Sequence, residues 1–325
     1  MDEATNLLAQ IVSDLYTSVP VSMSVDVTQN AQERLEWYRE RSENPGKLVG
    51  VTTGFPTLDR ATQGFQPGQL ITITGLTKAS KSTLALLMAM AAQENGETVL
   101  YFTYEQTVTE QWRRMDAYRA GINDSKLNSG RLDEDDWTKL KKSVHLTENY
   151  PNFIFCQDAM TVSAIAAQID SIKPTLVVVD GVYLMEDEHG ESQGSHQALR
   201  NIVYGLHKLA MNKNIAIVGV TQSTPARTRG ETLNNDSIMG SRAFGQFSSV
   251  VIGLERMDGF ISMRRLRILF SRNCAPCEVT LQFDYDTGTF EEIDDDGVDG
   301  ELEGLMGISE RLSSSMEDGE FPIEY

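Results

Sequence analysis

Long apolar runs are absent from this sequence. No stretch approaches the roughly 18 consecutive apolar residues that span a bilayer, so no membrane association is expected. Cysteine is also scarce. Cys156, Cys274 and Cys277 make three, an odd number that argues against a disulfide framework and fits a reducing compartment. Cys274-Ala-Pro-Cys277 has the spacing of half a zinc site, yet a structural zinc takes about four ligands and no second Cys or His pair lies near it. A turn between strands is the expectation there. The chain begins with Asp2 and Glu3 and lacks the basic start of a secretory signal, so a cytoplasmic protein is expected.

Positive charge is in short supply, with 28 Lys and Arg against 47 Asp and Glu, for a net −19. A total of this sign speaks against nucleic acid, but its distribution matters more. Residues 291–325 hold 13 acidic side chains and one basic one, Arg311, a net −12 that leaves −7 for residues 1–290. The body is only mildly acidic, and nucleic-acid binding stays open.

What is present is enough apolar residue, 40% of 325, to bury one large core with appendages. We expect three regions: an N-terminal arm and linker helix over 1–48, a main domain over 49–293, and an acidic, disordered tail over 294–325. Within the arm, Leu7, Leu8, Ile11, Val12 and Leu15 have helical spacing, and a second helix is predicted from Thr28 to Ser42 with a sparse apolar stripe. From Val49 the pattern becomes short apolar strands alternating with amphipathic helices. Strands are predicted at Gln69–Thr74, Thr98–Tyr104, Ile154–Cys156, Thr175–Asp180, Ala216–Thr221 and Ser249–Leu254. Near-continuous apolar runs mark strands buried on both faces, so the fold class is α/β with a mostly parallel sheet covered by helices. Leu266–Ser271 and Glu278–Tyr285 should close its edge as two antiparallel strands.

The first of these strands runs straight into Gly75-Leu76-Thr77-Lys78-Ala79-Ser80-Lys81-Ser82-Thr83 and then a helical segment. Strand, loop and helix in that order form the setting of a phosphate-binding loop, in which N–H groups at the helix start wrap the phosphates of ATP. Lys81 would reach the β and γ groups, and Ser82 would ligate Mg²⁺. Ser80 stands where the pattern has glycine, which admits the backbone to the phosphate without a Cβ in the way. The next strands end in chemistry-bearing residues. Asp180 is placed to hold a Mg²⁺-bound water, Glu105 to take a proton from attacking water, and Gln222 to sense the γ-phosphate. Arg272 follows a strand on the far side of the sheet and suggests an arginine finger that acts on a neighbouring subunit. The residues alone also admit plainer readings: a helix-capping glutamate, an ordinary polar strand end and a surface arginine. Arg227, Arg229 and Arg242 follow the sensor strand and could grip DNA phosphates repeatedly around a ring.

As an ordered set these segments resemble the hexameric replicative DNA helicases of the DnaB type and their bacteriophage relatives. The resemblance runs from about Asn44 to Glu292. It rests on Gly50 to Asp59, Gln66-Pro67-Gly68, the phosphate loop, Phe102 to Glu105, Val177 to Asp180, Thr221-Gln222-Ser223, Gly240 to Gln246 and Ser271-Arg272-Asn273. It implies a RecA-like P-loop NTPase domain, without a large N-terminal domain, that hydrolyses ATP with Mg²⁺ and moves on single-stranded DNA as a homo-hexamer in a bacterial or phage-infected cell. By the same resemblance Gly75, Thr77, Lys78, Ala79, Ser80, Lys81, Ser82 and Thr83 bind nucleotide, with Ser82 and Asp180 on the metal side. Glu105, Lys81, Arg272 and Gln222 are then catalytic, and Gly240, Ser241 and Arg242, with Arg227 and Arg229, touch DNA. A helicase loader, a primase or a single-strand-binding protein are the implied partners, and the acidic tail is a candidate contact for one of them. Two other functions stay open: a RecA-like recombination or strand-annealing ATPase, and a nucleotide-binding scaffold with weak turnover.

Overall fold

A computed structural model of the chain describes residues 26, 28, 30–223, 241–257 and 259–293, with 241 and 242 described by backbone alone. The expectations for residues 1–20, for the tail 294–325 and for Arg227, Arg229 and Gly240 lie outside the described residues. The chain divides into two compact units, residues 1–48 and 49–325.

In the first unit, helix α1 (Ala31–Glu43) buries none of its residues. It starts at Ala31 and not at the predicted Thr28. The Asp26 carboxylate accepts from both the Thr28 N–H (2.9 Å) and hydroxyl (2.6 Å), a local turn that competes with helix. Leu35, Trp37 and Tyr38 are exposed along it, and the Arg41 guanidinium covers the Trp37 ring.

The second unit opens with α2 (Pro56–Thr62) and then alternates strand and helix: β1 (Leu70–Gly75), α3 (Lys81–Glu94), β2 (Val99–Thr103), α4 (Val108–Ala120), α5 (Asp124–Ser129) and α6 (Glu134–Thr147). It continues with β3 (Phe153–Cys156), α7 (Val162–Ile172), β4 (Leu176–Asp180), a single 3-10 turn (Val182–Leu184), α8 (His196–Lys213), β5 (Ala216–Val220), α9 (Ser241–Phe247) and β6 (Val250–Arg256). The last strands are β7 (Met263–Ser271), β8 (Glu278–Asp284) and β9 (Thr289–Ile293). Among the described residues the nine strands form one sheet in the order β3-β2-β4-β5-β1-β6-β7-β8-β9. The members from β3 to β6 pair in parallel, and the last three are antiparallel. This is the mostly parallel α/β sheet with antiparallel edge strands that the strand pattern implied.

Successive strand residues feed opposite faces. Ile71 and Ile73 of β1 join Leu84 and Met88 of α3 in one cluster. Leu70 joins Val177, Leu206 and Phe244 in the other, under α8 and α9. Burial on both faces explains why β1, β2, β4 and β5 carry no charged residue before their ends and read as near-continuous apolar runs.

The edge differs from expectation by one strand. β9 adds to β8 through a turn in which Asp284 accepts from the Asp286 N–H (2.7 Å) and the Thr287 hydroxyl (2.9 Å). Phe290 of β9 packs on Phe283 with ring centroids 4.7 Å apart. Two glutamates in the five residues of β9 resemble the acidic tail in sequence, although Glu292 is used internally, accepting from the Thr57 N–H at 3.1 Å. Cys274 and Cys277 lie in the turn between β7 and β8.

The order places β1 between β5 and β6, while β2 and β4 lie on the far side of β5. Ligands in such sheets sit beyond the carboxyl ends of the parallel strands where strand order reverses. Those ends carry the loop after Gly75, Glu105, Asp180 and Gln222.

Candidate nucleotide-binding site

Glycine is required at the end of β1 because β6 is close: a Cβ on Gly75 would overlap the Leu254 carbonyl oxygen. The chain then turns through Leu76, Thr77 and Lys78, all exposed, and enters α3 at Lys81. No side chain caps that helix, so its first N–H groups face outward as a ready anion site.

Ser80 adopts φ +71°, in the left-handed region. There a side chain costs about 1–2 kcal/mol that glycine does not incur, partly offset by the roughly 0.5–1 kcal/mol of extra freedom glycine has when unfolded. Ser80→Gly should therefore keep or raise ATP affinity and leave stability equal or slightly higher, as measured by calorimetric titration and thermal melts. A large loss of affinity would show that the serine side chain itself contacts the nucleotide.

Lys81 is buried to 8% exposure, and its Nζ donates to the Leu76 carbonyl at 2.9 Å. Burial lowers its pKa, with Glu105 and Asp180 opposing that shift. One helical position on, the Ser82 hydroxyl donates to Asp180 Oδ1 at 3.0 Å. The other carboxylate oxygen accepts from the Tyr101 hydroxyl at 3.2 Å. Burial pushes the Asp180 carboxyl up to about 6, the Glu105 charge adds to this, and the bonds from Ser82 and Tyr101 oppose it. A buried carboxylate touching a hydroxyl is a pair of hard oxygen donors, the chemistry that suits Mg²⁺.

Beyond β2, the Glu105 carboxylate accepts a hydrogen bond from the Tyr183 hydroxyl. Gln222, just past β5, donates from Nε2 to the same hydroxyl at 2.6 Å, and its Oε1 accepts from Thr77 Oγ1 at 3.3 Å. Burial and then the Glu105 contact raise the Tyr183 pKa, which keeps its proton in place. At the lip of the loop, Arg256 donates to the Lys78 carbonyl at 2.6 Å.

The fold thus gathers Thr77, Lys81, Ser82, Glu105, Asp180 and Gln222 within one crevice. Arg272 is not among them. Ser271 pairs with Val250 at the start of β6, whereas Gly75 pairs with Leu254 near its end. Arg272 therefore lies at the opposite end of the strands from the phosphate loop, where it donates to the Gln246 carbonyl at 2.7 Å. Its separation is along the strands and not out to the sheet's edge as the sequence suggested, since β8 and β9 lie outside β7. Ser241 and Arg242 begin α9, with their side chains outside the described residues.

Tyr183, Arg256 and Tyr101 are the residues the sequence reading missed. A tyrosine three positions after a strand-ending aspartate, and an arginine ending the strand beside β1, were the available signals. Neither identifies a partner without the fold.

The family of the DnaB-like helicase C terminal domain matches residues 50–292. Replicative DNA helicase DnaB of Geobacillus stearothermophilus is 25% identical over 266 residues, covering 79% of this chain and 58% of that protein. Replicative DNA helicase DnaC of Bacillus subtilis (strain 168) is 25% identical over 227 residues, covering 68% of this chain and 49% of that one. The chain thus spans about half the length of these relatives. Among solved structures, an isolated ATPase domain superposes with a TM-score of 0.75 at 21% identity, covering 83% of this chain and all of that one. A DnaB-like replicative helicase, solved in a study of its interactions with primase, gives 0.76 at 20% identity, covering 90% of this chain and 76% of that one. With a match that takes in nearly all of the described second unit, this chain belongs to the family of the DnaB-like helicase C-terminal domain.

Proposed function

We propose that this protein is an ATP-driven replicative DNA helicase that moves along single-stranded DNA as a hexameric ring. The observation that carries this reading is the convergence of Lys81, Ser82, Asp180, Glu105 and Gln222 at the tips of neighbouring parallel strands, in a chain of a helicase family. In this reading the ATP phosphates lie against the N–H groups that open α3, with the Lys81 ammonium on the β and γ groups. Ser82 and Asp180 would hold Mg²⁺, which would supply positive charge to offset that of the phosphates. A water oxygen bonds to the γ-phosphorus while its bond to the bridging oxygen breaks. The electron pair leaves with ADP, and the water's proton passes to Glu105. Gln222 has a second N–H free to meet a γ-phosphate oxygen.

Arginines 227, 229 and 242, with Gly240 and Ser241, are proposed to line the ring's channel and hold DNA phosphates without regard to sequence. Primase, loader and single-strand-binding protein are the proposed partners, working in the cytoplasm of a bacterial or phage-infected cell. The acidic stretch at 294–325 is proposed to contact one of them.

The test is ATP turnover with and without single-stranded DNA, together with fork unwinding, for the native chain and Glu105→Gln. The variant should still bind ATP and assemble, while turnover falls by about 10² to 10⁴, the usual contribution of a positioned base. Unchanged turnover would remove Glu105 from the mechanism. Strand exchange without unwinding would assign the chain to recombination instead.

A further inference from the structure

We infer that Tyr183 is a positioning residue that joins the γ-phosphate sensor to the catalytic base, an inference that rests on the function proposed above. Its hydroxyl contacts both groups: it donates to Glu105 and accepts from Gln222 Nε2 at 2.6 Å. A hydroxyl has one proton and a carboxylate has none, so the proton shared with Glu105 comes from the tyrosine. Gln222 must then offer N–H to that oxygen. This turns its carbonyl toward the phosphate loop, where it accepts from Thr77 Oγ1 at 3.3 Å. The donors Thr77, Gln222 and Tyr183 all point toward the acceptor Glu105, the arrangement in which hydrogen bonds polarise one another.

The turn after β4 is what brings the hydroxyl there. Gly181 adopts φ +104°, a conformation open to glycine and strained for other residues, and the chain passes directly into the 3-10 turn that carries Tyr183. A Cβ on Gly181 would sit 3.3 Å from Leu184 Cδ1 and 3.5 Å from Glu105 Cγ, so this corner packs against the base. Gln222 begins the connection out of β5, at the end where Ser223 N–H bonds the Gly75 carbonyl at 3.0 Å. A phosphate oxygen accepts only, and Gln222 can meet it with its second N–H while still holding Tyr183. The presence of γ-phosphate is thereby passed to the carboxylate through one phenol.

Tyr183→Phe keeps the ring and removes the hydroxyl. We expect kcat of DNA-stimulated ATP hydrolysis to fall by about 10- to 100-fold, the scale of a misplaced catalytic group, while KM for ATP and the melting temperature stay near native values. Placed on Gln222→Ala, the same change should lower kcat less than about twofold further, because that background has already broken the series. An unchanged kcat for Tyr183→Phe would overturn the inference. So would fully multiplicative losses in the double variant, or a loss of rate that tracks a lowered melting temperature and so reports packing alone. Failure of the native chain to hydrolyse ATP at all would instead overturn the proposed function.

Discussion

Replacing Lys81 with alanine should leave a folded protein that no longer hydrolyses ATP. Among the described residues the Lys81 Nζ bonds one protein atom, the Leu76 carbonyl, in a loop whose Leu76 is 44% exposed. Water can replace that bond, so the stability change should stay within about 1 kcal/mol, the net value of an ordinary hydrogen bond. Catalysis has no such substitute. The ammonium stands at the mouth of α3 with Asp180 and Glu105 near enough to influence its charge, and in the proposed mechanism it balances the γ-phosphate as charge moves during transfer. Loss of a preorganised group of this kind costs at least about 10² to 10³ in rate, and here turnover should drop to background. Phosphate release, nucleotide titration and a thermal melt on one preparation check all three statements. Turnover near the native rate would mean that the phosphate loop has been misassigned.

Arg272→Ala should be equally inactive by itself and rescuable by mixing with Lys81→Ala subunits. Strand register places Arg272 beyond Ser271, opposite Val250, while the phosphate loop leaves β1 at Gly75, opposite Leu254. Four residues of strand separate those levels, about 13 Å at 3.3 Å per residue, before the loop's own projection is added. The guanidinium is bonded to Gln246 at that remote end. In the proposed ring, such a residue would serve the nucleotide of the adjacent subunit, where an arginine finger is worth roughly 10³ to 10⁵ in rate. The variant should bind ATP and fail to hydrolyse it. Mixed with Lys81→Ala subunits it should regain some turnover, since interfaces pairing an intact Lys81 with an intact Arg272 reappear. Mixtures that stay inactive at every ratio, with subunit exchange demonstrated, would argue that Arg272 acts within its own subunit or that hydrolysis needs every interface intact.

The parallel strands were legible because both their faces are buried. An unbroken apolar run such as Leu176 to Val179 has few other stable uses, and its terminal Asp180 marks the ligand-binding end. β9 was not legible, since Glu291 and Glu292 continue smoothly into an acidic stretch and nothing local reveals that Glu292 accepts from Thr57, more than two hundred residues away in the chain. The start of α1 escaped for the converse reason. Thr28 is a good helix-capping residue until the neighbouring Asp26 captures it.

By itself the sequence pointed to a phosphate loop, to the parallel strands from β1 to β6, and to the candidate set Lys81, Ser82, Glu105, Asp180 and Gln222, because each of these depends on residue type and on spacing from a strand end. Only the tertiary structure decided which of them touch. Sheet order, a consequence of long crossovers, sets β4 between β2 and β5, and that adjacency lets Tyr183, three residues past Asp180, reach Glu105 on one side and Gln222 on the other. It also decided the place of Arg272. Antiparallel pairing of β7 on β6 reverses the chain and carries its end to the far side of the sheet, a direction that no local pattern of side chains encodes.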